Sequence, residues 1–418
     1  MTVTGAIGND GASTGGLVVS QETGEDGTLV LAGENTYSGG TTVDSGVTLS
    51  VSDNSALGTG GVTLDSSATL ALTGSSLTLT GAFSQDAGST TTIATRDSLT
   101  LNGTASLSGT TSGTGTLALA GGSVTIGSGA TVTAPTWSIS GAGTDVTLDE
   151  NLSYKGSFSE GAGDTFVLSG GNLLLNGADT FSGGTVDGSN SLETEGTTKV
   201  SGLTIGGTAE WENTTTVTQS GGTGTIDDAT GVEPFLDNMS TGTYDIADNS
   251  GITLGSSTAS FIVNAGLLEK MGGTSTSVIA PAVTNTGTLE VTAGTLDFQG
   301  AVTGTGTDTI SGASTLEFDS AVSSSTTVGS QNIRFTGGTL DLTDPTSFYG
   351  EVSGFAAGDT VELLGSWAFS GFSENSGGTL ATLTLVNGTT THAFDFVGDY
   401  AQGDFKITSG ATSTITHT

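Results

Sequence analysis

Four carboxylates have the spacing that is most suggestive of chemistry, because each occupies the third position of one short repeat. The repeat reads Thr-Leu-acid-apolar, and its carboxylates are Glu290, Asp297, Glu317 and Asp341. Side chains alternate between the two faces of an extended strand, so the Thr and the acid share the outer face. If such strands stack, their carboxylates form a row that can bind Ca²⁺ through oxygen ligands. These four residues are the candidate calcium ligands; the alternative is a solvated acidic face that keeps the chain soluble.

The adjacent acids Asp227 and Asp228 are a second candidate for chemistry. Two carboxyl groups divide acid and base roles only when their environments separate their pKa values, and a pair in a loop is more often ordinary turn chemistry. The only histidines are His392 and His417, and the six Lys and Arg residues are dispersed. No nucleophile, base and orienting group can be assembled from these residues. The sequence therefore predicts no catalytic and no cofactor-binding residues, and a protein that is not an enzyme.

The three tryptophans allow a competing interpretation. Trp137, Trp211 and Trp367 could stack on sugars from an outer wall, which would indicate a carbohydrate-active or carbohydrate-binding β-helix such as a polysaccharide lyase, a hydrolase or a tailspike-like protein. Aromatic residues packed at corners or in a cap explain the same residues. We favour the packed interpretation and expect His392 to be structural as well.

The composition excludes several classes of protein. The chain has 418 residues, 6 Lys and Arg against 42 Asp and Glu, and a formal net charge of -36. Six scattered cations cannot form the basic face that a nucleic-acid binder needs, and an anionic membrane surface would repel the chain. The absence of cysteine excludes disulfides and thiolate metal sites. No run approaches the roughly 18 apolar residues of a transmembrane helix, so we expect no membrane insertion by this chain.

Short strands and frequent turns dominate the pattern. The 70 glycines, together with abundant Thr, Val and Leu, predict an all-β protein. Strands this short bury a core only when they stack as coils, which predicts a parallel β-helix (β-solenoid) over residues 1–332. Aromatic residues become frequent from residue 333, so residues 333–418 are predicted to form a compact β-rich cap. A string of β-sandwich modules is the alternative fold, and residues 267–271 (LLEKM) are predicted to form one helical turn.

Three segments resemble two known bacterial families. Residues 31–42 (LAGENTYSGGTT) resemble the autotransporter-associated β-strand repeat of autotransporter passengers, and residues 177–185 (GADTFSGGT) look like a degenerate second copy. Residues 252–407 are similar to repeats of very large β-rich bacterial surface and secreted proteins. These resemblances imply an exported, right-handed β-helix, secreted or at the cell surface, that mediates adhesion, aggregation or matrix formation.

Association with other copies of the chain follows from the predicted architecture. A solenoid has unpaired strand edges at its ends, and flat Thr-rich faces with little charge can pack side by side. We therefore expect self-association into fibres or aggregates, with surface glycans as a further class of partner and nucleic acid excluded. The net charge opposes association at low salt and opposes it less when it is screened or when Ca²⁺ is present.

Overall fold

The structure is a computed structural model that describes residues 1–22, 27–141, 143–228, 236–323 and 330–418. In these ranges it contains short β-strands and two 3₁₀ turns, Pro345–Ser347 and Gln402–Asp404, but no α-helix. The chain divides into two compact units, Met1–Thr198 and Lys199–Thr418. Across the described ranges, no helix has the length and hydrophobicity needed to span a membrane.

In the first unit, the chain coils so that each strand pairs in parallel with strands from the coils before and after it. Sheet A contains, in order, Thr2–Val3, Gly27–Leu31, Val47–Val51, Thr69–Leu72, Thr90–Ile93, Thr110–Gly113 and Thr131–Val132. Sheet B contains Leu17–Val19, Thr41–Val43, Val62–Leu64, Phe83–Gln85, Ala105–Leu107, Ser123–Ile126, Asp145–Leu148, Thr165–Leu168 and Thr185–Gly188. Sheet C contains Leu77–Leu79, Ser98–Leu101, Thr116–Leu119, Thr136–Ile139, Ser157–Glu160 and Ala178–Phe181. Sheet D contains Leu152–Tyr154, Leu173–Leu175 and Ser191–Thr194. The strand Thr197–Val200 contains the boundary between the units.

The second unit is coiled in the same way, with three parallel sheets. Sheet E contains Thr204–Gly207, Gly224–Asp228, Ile252–Leu254, Thr276–Ile279, Thr295–Phe298, Thr315–Phe318, Thr339–Leu342 and Thr360–Leu364. Sheet F contains Thr216–Gln219, Thr243–Ile246, Leu267–Lys270, Thr288–Val291, Thr307–Ser311, Asn332–Thr336 and Glu351–Ser353. Sheet G contains Glu210–Asn213, Leu236–Asn238, Phe261–Asn264, Ala282–Asn285 and Val302–Gly304.

The parallel stack of the second unit ends in longer strands, most of which pair antiparallel. Thr412–His417 pairs antiparallel with both Thr360–Leu364 and Phe405–Thr408, which extends sheet E. Thr390–Val397 joins sheet F, and Leu380–Asn387 and Ala368–Glu374 follow it as antiparallel neighbours. The chain therefore changes from stacked coils to hairpins within the aromatic-rich segment. The domain boundary at residue 332 stays a prediction.

The core follows from alternation along each strand. In the first unit, Leu117, Trp137 and Phe158 lie in register on three successive coils and are buried. The Trp137 ring makes edge-on contacts with Tyr154 and Phe158, with centroid distances of 5.5 and 5.0 Å. Burying one such side chain stabilises the folded state by about 1.5–3 kcal/mol, and each stacked coil adds a similar stabilisation.

The predicted Thr-Leu-acid-apolar repeats form strands as expected. Each of the four is one strand, with its Leu and its last residue buried. The predicted helical turn at residues 267–271 is wrong, because Leu267–Lys270 is a strand of sheet F that buries Leu268 and Lys270. Its period of two residues was hidden by a lysine in a buried position.

Tight turns at the corners set the coil geometry. Turns that begin at Asp65 and Asp86 are closed by backbone hydrogen bonds from Ala68 and Ser89. The third residue of each turn has a positive φ, 66° at Ser67 and 81° at Gly88. Glycine adopts this conformation without cost, whereas a residue with a Cβ is strained there.

The fold class is therefore confirmed: the described residues of each unit form stacked parallel β-solenoid coils, about 16 in all. The alternative of β-sandwich modules is wrong, because sandwich sheets pair antiparallel whereas the coils here pair in parallel.

Candidate functional site

Parallel, in-register stacking places equivalent residues of successive coils side by side, about 4.8 Å apart. Residues that point inward build the core, and residues that point outward form columns on the surface. The sequence predicted calcium-binding carboxylates and self-association, both on the protein surface. The outward columns are therefore the candidate functional site.

Sheet A of the first unit presents an uncharged column of threonines, which we call the threonine column. Its members are Thr28, Thr48, Thr69, Thr90, Thr110 and Thr131, paired in register from strand to strand. Beside it runs a second outward column of small side chains: Ser50, Ala71, Thr92 and Ser112. Hydroxyls both donate and accept hydrogen bonds, so this face can bind another polar surface without bringing charges together.

Sheet E of the second unit presents an acidic column, which we call the carboxylate column. It consists of Asp297, Glu317, Asp341 and Glu362, each in register with the next. Burial, followed by the charges of neighbouring acids, raises the pKa of Asp297 and Asp341 to about 6 and that of Glu317 to about 7. In-register like charges repel, so the repulsion within this column is relieved when its carboxylates bind protons or a cation.

Asp297 departs from the solvated position that the repeat predicted for it. Its side chain is only 6% exposed, and its Oδ1 is buried without a hydrogen-bond partner. One carboxylate oxygen from each of Asp297, Glu317 and Asp319 lies within 4.8 Å of the others. Asp319, which follows the Glu317 strand, was not among the sequence candidates.

The structure separates Glu290 from the other three predicted ligands. Glu290 lies on sheet F, in register with Glu269, which in turn pairs with Asp245. Burial and then the neighbouring Asp245 raise the pKa of Glu269. The second unit therefore carries two acidic columns on different sheets, where the sequence suggested one row.

A ladder of buried asparagines runs along sheet G, with one asparagine at the end of each of four successive strands. The Nδ2 of Asn213, Asn238 and Asn264 donates to Oδ1 of the next member, at 2.8, 2.7 and 2.8 Å, and the last acceptor is Asn285. All four are fully buried. The ladder was not among the sequence predictions. The signal that identifies it is a set of asparagines 25, 26 and 21 residues apart, each two residues after a buried apolar residue of the same strand.

Lys270 is also fully buried and is held by three acceptors. Its Nζ donates to the carbonyls of Asp248 and Gly272 at 2.6 and 2.8 Å and to Oγ of Ser277 at 2.9 Å. Burial lowers the pKa of this lysine. The side chain ties a corner to its neighbours and is not available to a ligand at the surface.

Asp227 is occupied by local hydrogen bonds. Its Oδ1 accepts both the backbone N–H and the hydroxyl of Ser256, each at 2.6 Å, and these bonds hold the pKa of Asp227 below its usual range. The side chain of Asp228 lies outside the described residues. The expectation of a loop is wrong for Asp227, which lies on the strand Gly224–Asp228 and is linked by these bonds to the next coil.

The tryptophans are packed rather than displayed. Trp137, Trp211 and Trp367 are at most 4% exposed. The Nε2–H of His392 donates a hydrogen bond of 2.7 Å to the Phe348 carbonyl, and the imidazole ring packs edge-on against Phe394. The packed interpretation of these residues is confirmed, and the proposed sugar-stacking platforms are absent at these three positions.

Comparison with known proteins supports the sequence resemblance. Residues 25–51 match the family model described as passenger-associated-transport-repeat. This repeat occurs in autotransporter passenger domains, which confirms the resemblance noted for residues 31–42. No curated protein matches the chain at a significant level. The repeat and the β-solenoid together fit an autotransporter passenger, and the repeat family implies an exported or surface protein.

Proposed function

We propose that this chain is a structural part of an exported bacterial surface or extracellular-matrix protein, and that its β-helical coils act in adhesion, aggregation or fibre and biofilm formation. The passenger repeat and the coiled fold support the exported, structural class. The observation that carries the finer proposal is the threonine column, because it offers a regular, uncharged surface on an otherwise strongly acidic chain.

The occupant that best fits the threonine column is a second copy of the same chain. A net charge of -36 makes two copies repel, so contact is favoured where the local charge is zero. The hydroxyls of Thr69 and Thr90 on one copy can donate to and accept from the same column on another, as a two-fold contact requires. Each contact is weak, and repetition along the column supplies avidity.

A carbohydrate-active β-helix receives no comparable support. Such a protein needs exposed aromatic platforms and free carboxylates in a groove, whereas Trp137 and Trp211 are core residues and Asp227 is bound by Ser256. We therefore propose a non-catalytic role.

Sedimentation velocity across protein concentration tests the proposal. We expect association of the wild-type protein to increase with concentration and with salt, since salt screens repulsion beyond about 8 Å at 0.15 M ionic strength. The double variant Thr69→Lys/Thr90→Lys, which alters neighbouring coils of sheet A, is expected to remain monomeric.

The matched control is Ser123→Lys/Thr165→Lys, which changes the two residues in register with the exposed Asp145, in an outward column of sheet B that is not free of charge. It adds the same charge to the same unit, so it should associate like the wild type. A wild-type protein that stays monomeric at high concentration across salt and calcium would refute the proposal. Equal behaviour of the two double variants would show that the threonine column is not the contact.

A further inference from the structure

The acidic cluster on sheet E crosses two adjacent coils. Asp297 and Glu317 are directly opposite each other on the strands Thr295–Phe298 and Thr315–Phe318, and Asp319 follows the second strand. Carboxylate oxygens of all three lie within 4.8 Å of one another. The arrangement brings three negative charges to one point on the sheet.

Asp297 supplies an independent indication that this point binds a ligand. Its side chain is more than nine-tenths buried, yet Oδ1 accepts no hydrogen bond from any described residue. A buried carboxylate oxygen without a partner is costly, and the other two carboxylates add repulsion to that cost. A cation between the three side chains removes both penalties.

The neighbouring coil orients the cluster from the other side. Thr343 donates a hydrogen bond of 2.8 Å from Oγ1 to Oδ1 of Asp319, which leaves the other oxygen of Asp319 for a ligand. Asp341 is in register with Glu317 and extends the negative field. A fixed acceptor geometry and a concentrated negative field are what a cation site requires.

The chemistry of the donors selects the ion. All three are hard oxygen donors, which suit Ca²⁺ or Mg²⁺ rather than Zn²⁺, whose usual ligands include Cys and His. Ca²⁺ accepts irregular geometry at about 2.3–2.6 Å from each oxygen, so two of its ligands are at most about 5 Å apart. Mg²⁺ demands a tight octahedron at about 2.0–2.1 Å and retains its water. Ligands from separate coils within 4.8 Å of one another fit the larger ion better.

We propose that Asp297, Glu317 and Asp319 bind one Ca²⁺ ion that links two adjacent coils of the second unit. This site is independent of the threonine column and of self-association, since its ligands lie on or directly after strands of sheet E, whereas the threonine column lies on sheet A. The ion neutralises the Asp297–Glu317 end of the carboxylate column and holds the two coils together.

Isothermal titration of the calcium-stripped protein with CaCl₂ tests the site. We expect one specific site per chain, with a Kd of about 10⁻⁴–10⁻³ M as in extracellular calcium modules. The variant Asp297→Asn/Glu317→Gln should weaken binding at least tenfold. Asp319→Asn changes an exposed side chain, so it should fold normally and also weaken binding several-fold.

The matched control removes the same number of charges from the other acidic column, through Glu269→Gln/Glu290→Gln on sheet F. It should retain the wild-type affinity. The proposal is overturned if the wild-type protein binds no calcium at 10 mM, if Mg²⁺ binds as tightly, or if the sheet F variant loses binding while the sheet E variants keep it. Titration at a concentration where sedimentation shows only monomer separates this result from the outcome for self-association.

Discussion

Asn285 donates a hydrogen bond of 2.9 Å from Nδ2 to Oδ1 of Asp308, a fully buried carboxyl group. Asp308 occupies a core position of sheet F, in register with Leu289 on one side and Ile333 on the other. Burial raises the pKa of Asp308 to about 8, and the bond from Asn285 offsets only part of that effect. The end of the asparagine ladder therefore holds an acid that stays protonated at neutral pH.

This relationship predicts a specific pH dependence for Asp308→Asn. In the unfolded chain an aspartate loses its proton near pH 3.9, whereas folded Asp308 keeps it to about pH 8. Its contribution to stability is complete below about pH 4 and is lost as the pH rises through 8. Between pH 5 and 9, the unfolding free energy from urea titrations should fall less for Asp308→Asn than for the wild type.

The control is Asp145→Asn, at an exposed position, whose unfolding free energy should change with pH as in the wild type. If the unfolding free energy of Asp308→Asn also falls as much as that of the wild type, Asp308 is not a buried acid with a raised pKa.

The carboxylate column should make the calcium-free protein more stable in mild acid. Its carboxyl groups have raised pKa values, about 6 for Asp297 and Asp341 and about 7 for Glu317, so they bind protons more tightly in the folded than in the unfolded state. The neighbouring Asp319 and Glu362 add to the repulsion that raises these values. The stabilisation is present below the unfolded values near 4 and is lost as the pH rises through 6 to 7. In EDTA, we expect Tm to rise by about 4 °C from pH 8 to pH 5 on account of this column.

The triple variant Asp297→Asn/Glu317→Gln/Asp341→Asn should remove most of that rise. Three exposed acids of the first unit give the control, as Asp10→Asn/Asp86→Asn/Asp145→Asn. If both triple variants flatten the pH profile equally, total charge rather than the column is responsible.

Breaking the asparagine ladder should be costly. Asn264→Ala removes the acceptor of one Asn238 N–H and the donor to both Asn285 Oδ1 and the Thr288 carbonyl, while Asn238 Nδ2 keeps its bond to the Leu267 carbonyl. We expect a loss of about 3 kcal/mol of unfolding free energy, given about 1–3 kcal/mol for each unsatisfied group and partial relaxation. Denaturant unfolding measures it. Asn54→Ala, at an exposed turn, should change stability by less than about 0.5 kcal/mol, and a similar small effect at residue 264 would refute a structural role for the ladder.

Two glycines separate backbone strain from coil packing. Gly88 has a φ of 81° and open space where a Cβ would lie, so Gly88→Ala should cost about 1–2 kcal/mol through conformation alone. A Cβ on Gly177 would overlap the carbonyl oxygen of Gly156 on the neighbouring coil, so Gly177→Ala should cost about 3 kcal/mol. Thermal unfolding of both variants checks the order; a larger effect at Gly88 would show that the corner conformation matters more than coil spacing.

Local sequence was sufficient for the strands because their period is short. The repeats at Thr295–Phe298 and Thr315–Phe318 carry their own in–out pattern, and the structure reproduces it. The same reasoning failed at Leu267–Lys270, where a buried lysine broke the pattern. Two of its three hydrogen-bond acceptors, the Asp248 carbonyl on the preceding coil and Ser277 on the next strand, lie outside the local sequence.

The candidate site was only partly accessible from sequence. Coils differ in length, so a single chain does not reveal which sheet a repeat joins, and Glu290 was grouped with Glu317 although the two lie on different sheets. The burial of Asp297 and the approach of Asp319 depend on neighbouring coils and are likewise absent from any local pattern.

The in-register pairing of the outward columns also gives the surface a fixed unit of length. Each coil advances by about 4.8 Å, and the buried leucines maintain that interval whatever side chains point outward. Inward residues thus form the core, and the outward residues that alternate with them form the surface. A substitution at an outward position changes the surface of one coil and leaves the core residues in place. A polymeric ligand whose groups recur at that interval would meet an equivalent side chain on each successive coil, whereas a ligand with a different repeat would not.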